Sequence, residues 1–206
     1  MTSVAGRFGF WAAAAVCTLM LMLSGCAEKK VPPAPFISTD ITGVDFGKNF
    51  RLTDHHGKIR TLADFHGKAV LMFFGYTHCP DVCVTTLAEL AMVQKNLGDD
   101  ASRVQVLFVT LDPARDTPEK LAKFVGYFHK DFLALHGDEA AIARMAAEFK
   151  VTYNKHDSGS AAGYLIDHSA GIYGYDTEGR LRVLFGHGAE LAAIVHDVKL
   201  LLGEKP

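Results

Sequence analysis

Ala69-Val70-Leu71-Met72-Phe73-Phe74-Gly75-Tyr76-Thr77-His78-Cys79-Pro80-Asp81-Val82-Cys83 is the stretch that decides the fold of this chain. Ala69 to Phe74 is continuously apolar, as a strand is when both faces of its sheet are covered. Gly75 ends the run. After the second cysteine, Leu87, Leu90, Val93 and Leu97 recur on one helical face, and Gly98 supplies the stop. A cysteine pair therefore stands where a buried strand passes into a helix.

The same grammar continues on both sides. Val104 to Leu111 predicts a second buried strand, and Asp116-Thr117-Pro118-Glu119 opens a helix with Thr117 as N-cap and Pro118 in the first position. A third helix is predicted over about Asp138 to Phe149. Gly171 to Tyr175 and Leu181 to Phe185 flank Thr177-Glu178-Gly179, a hairpin signal, and Leu191 to Leu201 closes the chain as a helix. Upstream, Phe50-Arg51-Leu52-Thr53, a His56-Gly57 turn and Lys58-Ile59-Arg60 read as a small hairpin. Strands alternating with helices before a terminal hairpin predict an α/β class, a three-layer sandwich about one mixed sheet with an added N-terminal hairpin. A cysteine pair at the first strand-to-helix junction makes that arrangement thioredoxin-like. Fold does not establish function, which has to be argued from the site.

The chain has 206 residues, is 49% hydrophobic and carries a formal net charge of -2. That length suits one domain with a sizeable core. The near-neutral balance offers nucleic acid no electrostatic footing. Phe8 to Leu23 is almost wholly apolar and ends in Leu23-Ser24-Gly25-Cys26, two small residues before a cysteine. This resembles the lipobox of bacterial lipoproteins, with residues 1–25 as signal peptide and Cys26 carrying the lipid. The competing reading is an uncleaved anchor, since the run approaches the ~18 residues of a membrane span. Either places the remainder outside the cytoplasm, facing the periplasm or cell exterior. Pro32, Pro33 and Pro35 make residues 26–45 read as the lipidated cysteine and an extended tether, with the domain over 46–206.

Once Cys17 leaves with the signal peptide and Cys26 takes the lipid, only Cys79 and Cys83 remain. A structural disulfide gains most by closing a long loop, and this pair closes a very short one, so chemistry explains it better than stapling. Near a helix N-terminus the thiolate form is favoured. Two helical residues four apart hold their Cβ atoms about 5–6 Å apart, against about 3.8 Å for a disulfide, and a metal relaxes that demand. If Cys79 precedes the first turn, a disulfide can also close. Two thiolates suit Cu(I), zinc or iron–sulfur clusters, and two are too few for an ordinary cluster. A third ligand must come from ten histidines. His55, His56, His66, His129, His136, His156 and His196 read as surface residues. His168, just before the hairpin 171–185, stands where a thioredoxin-like fold faces its redox helix. His78, next to Cys79, reads either as a supporting or partner-contacting neighbour of the site or as simply exposed, and His187 is the other histidine to test.

Three blocks of the sequence together resemble one family. Phe73-Phe74-Gly75-Tyr76-Thr77-His78-Cys79-Pro80-Asp81-Val82-Cys83 resembles the copper motif of the Sco/SenC family. Thr110-Leu111-Asp112-Pro113-Ala114-Arg115-Asp116-Thr117-Pro118-Glu119 resembles its second block, and Tyr164-Leu165-Ile166-Asp167-His168-Ser169 its third. The resemblance runs over about residues 44–203. It implies a thioredoxin-like copper chaperone for the binuclear copper centre of cytochrome c oxidase, with Cys79, Cys83 and His168 as ligands to Cu(I) and also to Cu(II). Asp112 matches an aspartate near the metal, in a supporting or partner-contacting role; its simpler role is to fix the turn before Pro113. The chain departs from the pattern at Val84, where the family often has proline, and in its lipid rather than transmembrane anchor.

The implied partners are an oxidase copper-centre subunit or another copper protein, a periplasmic thiol reductant, and the membrane through the lipid. The rival function is a thiol–disulfide oxidoreductase reducing acceptor cysteines, which shares Cys79 and Cys83 and has no need of His168. A peroxiredoxin-like peroxidase is disfavoured by the close spacing of the pair. Zinc shares the Cys₂His ligand type.

Overall fold

In the computed structural model, which describes residues 36–160 and 163–203, the apolar run becomes β4 (Ala69–Gly75), an inner strand of the main sheet. Every residue of β4 is buried, and its side chains alternate between two cores. Leu71 and Phe73 point to one face, where α1 (Val82–Leu97), α2 (Pro118–Phe128) and α4 (Leu191–Leu201) supply Leu87, Leu90, Leu121, Val125, Ile194 and Val198. Val70, Met72 and Phe74 point to the other, against Ile142, Met145 and Phe149 of α3 (Glu139–Glu148) and its C-cap. Two covered faces explain why the strand carries no polar residue: each such side chain contributes about 1.5–3 kcal/mol by leaving water.

Parallel ladders join β4 to β5 (Val104–Thr110), and β5 to β6 (Leu133–His136). On the far side β4 pairs antiparallel with β9 (Ile172–Tyr175), which pairs with β10 (Leu181–Phe185). The hairpin of β2 (Arg51–Asp54) and β3 (Ile59–Thr61) extends the sheet beyond β6, and β1 (Thr39–Asp40) caps the β10 edge. The order is β1-β10-β9-β4-β5-β6-β2-β3, the mixed sheet and three layers expected of the α/β class. The expected caps form too: the Thr117 hydroxyl accepts from Lys120 N, and Gly98 ends α1 at a positive φ of 57°.

Three features depart from the sequence reading. β6 separates two segments read as consecutive helices. A two-stranded ribbon, β7 (Tyr153–Ser160) with β8 (Gly163–His168), stands apart from the main sheet where no element was expected. Residues 36–45, read from the sequence as part of a tether, are folded into the domain instead. Ile37 N and Ser38 N each donate to the buried Asp197 carboxylate at 2.8 Å, β1 joins the sheet, and Ile41 and Val44 pack on the core. The polar segment therefore belongs to the domain from about Phe36, because its backbone groups find partners there. Cys26 and the signal peptide lie outside the described residues. Among the described residues no helix is long and apolar enough to cross a membrane.

Candidate metal centre

β4 ends in Gly75, and the chain turns through Tyr76-Thr77-His78, where Cys79 N donates to Tyr76 O at 3.2 Å. Cys79 lies two residues before the N-cap Asp81, outside the helix, while Cys83 is the second residue of α1. The spacing alone had left that choice open. Cys83 N donates to Cys79 Sγ at 3.4 Å, one of the unsatisfied donors of the helix start turned on a sulfur. Cys83 is fully buried and Cys79 partly exposed.

His168, the last residue of β8, arrives from the ribbon. Its Nε2 lies 3.5 Å from Cys83 Sγ, and its Nδ1 lies 3.0 Å from Ser169 O. A carbonyl only accepts, so Nδ1 donates its proton there, and Nε2 is the ring nitrogen turned towards the sulfurs. Phe73 and Tyr76 hold the ring edge-on, each with centroids 6.1 Å away. The ligand atoms of Cys79, Cys83 and His168 all lie within 4.8 Å of one another. Donors at 2.0–2.3 Å from a shared ion stand about 3.5–4.6 Å apart, so the cluster is already near the size of a site. Two soft sulfurs and an imidazole fit Cu(I) in kind as well.

The electrostatics favour a ligand-ready pair. A hydrogen bond from the Cys83 thiol, helped by His168 and the amides of Asp81 and Cys83, outweighs desolvation and brings Cys79 down to about 4. The same bond, then burial, pushes Cys83 strongly up. The metal-free reduced pair thus holds one thiolate and one thiol, and an incoming cation displaces the second proton. A cleft of about 270 Å³, lined by Tyr76, Pro80, Asp81, Leu165 and Asp167, opens on the Cys79 and His168 side.

The remaining candidates fall elsewhere. His78 Nδ1 sits 3.1 Å from Thr77 Oγ1 and 3.8 Å from Asp116 and is not among the clustered ligands. His187 lies exposed in the turn after β10. Asp112 is fully buried, so its carboxylate presents no surface to a partner. It pairs with Arg115 and accepts from the Tyr164 hydroxyl at 2.5 Å. Asp116, which the sequence reading placed only at a helix start, braces the cysteine loop. It accepts from Thr77 N at 3.0 Å, Thr77 Oγ1 at 2.5 Å and Thr110 Oγ1 at 2.6 Å. Gly75 was also missed. A Cβ there would meet Cys83 Sγ at 2.7 Å and Phe108 Cε2 at 2.8 Å, so only glycine lets the sulfur lie against the strand. Its place at the end of the buried run was the available signal.

The family model described as SCO1/SenC matches residues 38–203. The chain belongs to the SCO1/SenC family. It is 36% identical over 153 residues to the human mitochondrial SCO2 homologue, a match covering 73% of this chain and 58% of that protein. The chain therefore matches little more than half the length of that relative. Among solved structures it resembles Bradyrhizobium japonicum ScoI with copper bound, at 38% identity and a TM-score of 0.68, over 75% of this chain and 98% of the other. It also resembles a SCO1/SenC family lipoprotein from Bacillus anthracis, at 25% identity and a TM-score of 0.65, over 74% and 92%. The family likeness spans the domain from β1 to the end of α4, and with it all three candidate ligands.

Proposed function

We propose that this chain is a copper metallochaperone that holds Cu(I) on Cys79 Sγ, Cys83 Sγ and His168 Nε2 and passes it to the binuclear copper centre of cytochrome c oxidase. The convergence of those three atoms from a loop, a helix and a separate ribbon carries the reading, and the copper-bound relative supports it. Delivery follows from access. Cys83 is sealed in the core, so an acceptor's thiolate or imidazole reaches the ion from the cleft beside Cys79 and displaces ligands one at a time. The anchor is the lipid on Cys26, as the Leu-Ser-Gly-Cys ending and the Bacillus lipoprotein suggest, with the domain on the periplasmic side. Residues 27–35 can then span at most about 32 Å between the lipid and the start of the domain.

The test compares the reduced protein with its Cys79–Cys83 disulfide form. The reduced protein is expected to take one Cu(I) in a competition titration and to retain it over zinc. The disulfide form, lacking two of three donors, is expected to take none. Transfer is then followed from the loaded protein to an isolated oxidase copper-centre domain. Undiminished Cu(I) binding by the disulfide form would discard this ligand set. One observation favours a second reading, a thiol–disulfide oxidoreductase: Cys79 is both accessible and held as thiolate, the form that attacks a disulfide.

A further inference from the structure

Among the described residues, β8 hydrogen-bonds to β7 and to no strand of the main sheet. Ladder bonds to β4 therefore do not set the position of His168 over the cysteines; the backbone bond from Ser169 N to Thr152 O at 3.0 Å ties the base of the ribbon, and side-chain contacts hold the rest of the strand. They converge on one residue in the turn between β5 and α2. The Arg115 guanidinium carbon lies 3.6 Å from the centroid of the Tyr164 ring, and its Nη1 donates to Tyr164 O at 2.9 Å. Its Nε pairs with the buried Asp112 carboxylate, which also takes the Tyr164 hydroxyl. The same guanidinium lies 5.8 Å from the Tyr76 ring, and Tyr76 in turn flanks His168 and accepts Ile166 N on its hydroxyl at 3.2 Å.

We propose that Arg115 is a positioning residue for His168: with Asp112 and Tyr164 it fastens β8 to the β5–α2 turn and so holds the imidazole within ligand distance of Cys79 and Cys83. Tyr164, Ile166 and His168 alternate onto one face of the strand. The clamp at Tyr164 thus acts along the strand, about 13 Å from the ligand. Only a planar guanidinium can stack on a ring, pair with a carboxylate and donate to a carbonyl together, so lysine would not replace it. Asp112 acquires its part here, as the group that orients Arg115. The proposal rests on the copper reading for its consequence, though the positioning itself can be measured without metal.

The variant is Arg115→Met, and the control is Arg60→Met. Arg60 pairs through Nε with the fully buried Asp54, and it lies on β3, at the edge of the sheet beyond β6 and β2. The control inflicts a like lesion on a carboxylate away from the ribbon. In the reduced, metal-free protein, Arg115→Met is expected to abolish the NMR cross-peaks between the His168 and Tyr76 rings. It is also expected to speed exchange of the β8 amides at least tenfold, with both unchanged in Arg60→Met. Cu(I) affinity is expected to fall at least tenfold in Arg115→Met. Adding Arg115→Met to His168→Ala should then cost less than a further twofold, because the clamp acts through the imidazole. Intact cross-peaks, or losses that multiply in the double variant, would overturn the proposal. If His168→Ala alone left Cu(I) affinity unchanged, the copper reading would fall, while the metal-free measurements would still decide the role of Arg115. Should Arg115→Met not fold, Tyr164→Leu cuts the same link from the ribbon side and is read in the same way.

Discussion

Replacing Gly75 by alanine asks whether the close approach of Cys83 to the strand is what shapes the centre. The added Cβ would lie 2.7 Å from Cys83 Sγ and 2.8 Å from Phe108 Cε2, whereas ordinary contact begins at 3.4 Å, a shortfall of 0.7 Å against the sulfur. Neither neighbour has room to yield, since Cys83 and Phe108 are both fully buried. Overpacking of this kind costs about 1–3 kcal/mol, or about 4–8 °C in Tm for a 2 kcal/mol loss in a domain of this size. The sulfur is also a proposed ligand, and a displacement of 0.7 Å is large beside a metal–sulfur bond of about 2.3 Å. Cu(I) affinity is therefore expected to drop at least tenfold in protein that remains folded. Gly174→Ala provides the comparison, because its Cβ would strike Val183 and Phe185 at 2.5 and 2.9 Å with no ligand involved. Both variants should lose stability in a thermal melt, and only Gly75→Ala should lose copper in a competition titration. Equal copper affinities in the two variants would refute the reasoning.

Three further outcomes are expected. His168→Ala should weaken Cu(I) binding, weaken Cu(II) binding more, and leave the disulfide-exchange rate of Cys79 and Cys83 nearly unchanged. Unaltered copper affinity would remove His168 from the ligand set. Because its pKa is lowered to about 4, Cys79 should remain thiolate well below the usual thiol range. Its alkylation by iodoacetamide in the reduced, metal-free protein should thus stay level from pH 8 to about pH 5 and fall only as pH drops through about 4. A rate falling tenfold per pH unit below 8 would contradict this. Mass spectrometry of the mature protein should find Cys26 as a lipidated N-terminus, and an unmodified chain retaining Met1 would refute the lipid anchor.

Much of the molecule follows from the sequence alone, because the local rules and the tertiary setting agree there. The run from Ala69 to Gly75 is apolar throughout, since both its faces are covered. Leu87, Leu90, Val93 and Leu97 repeat at helical spacing because one side of α1 meets the sheet, and Thr117 and Gly98 mark their helix ends through local hydrogen bonds. The cysteine pair at the junction is legible for the same reason, as is the hairpin around Gly179.

Tertiary structure alone decided the rest. Leu133 to His136 is too short to announce a strand, and becomes one because β5 and β2 lie on either side of it. Thr39–Asp40 is extended only because β10 offers an open edge, with Asp197 to receive the amides before it. Tyr153 to Ser160 shows no alternation to read, because that ribbon packs little of itself into the core. Yet the ribbon ends in His168, and its clamp joins Arg115 to Tyr164, residues 49 apart in sequence. A sequence names ligand types and their local spacing. Whether an imidazole 85 residues away reaches a sulfur depends on packing between segments that share no local pattern, and here that packing brings the two to 3.5 Å.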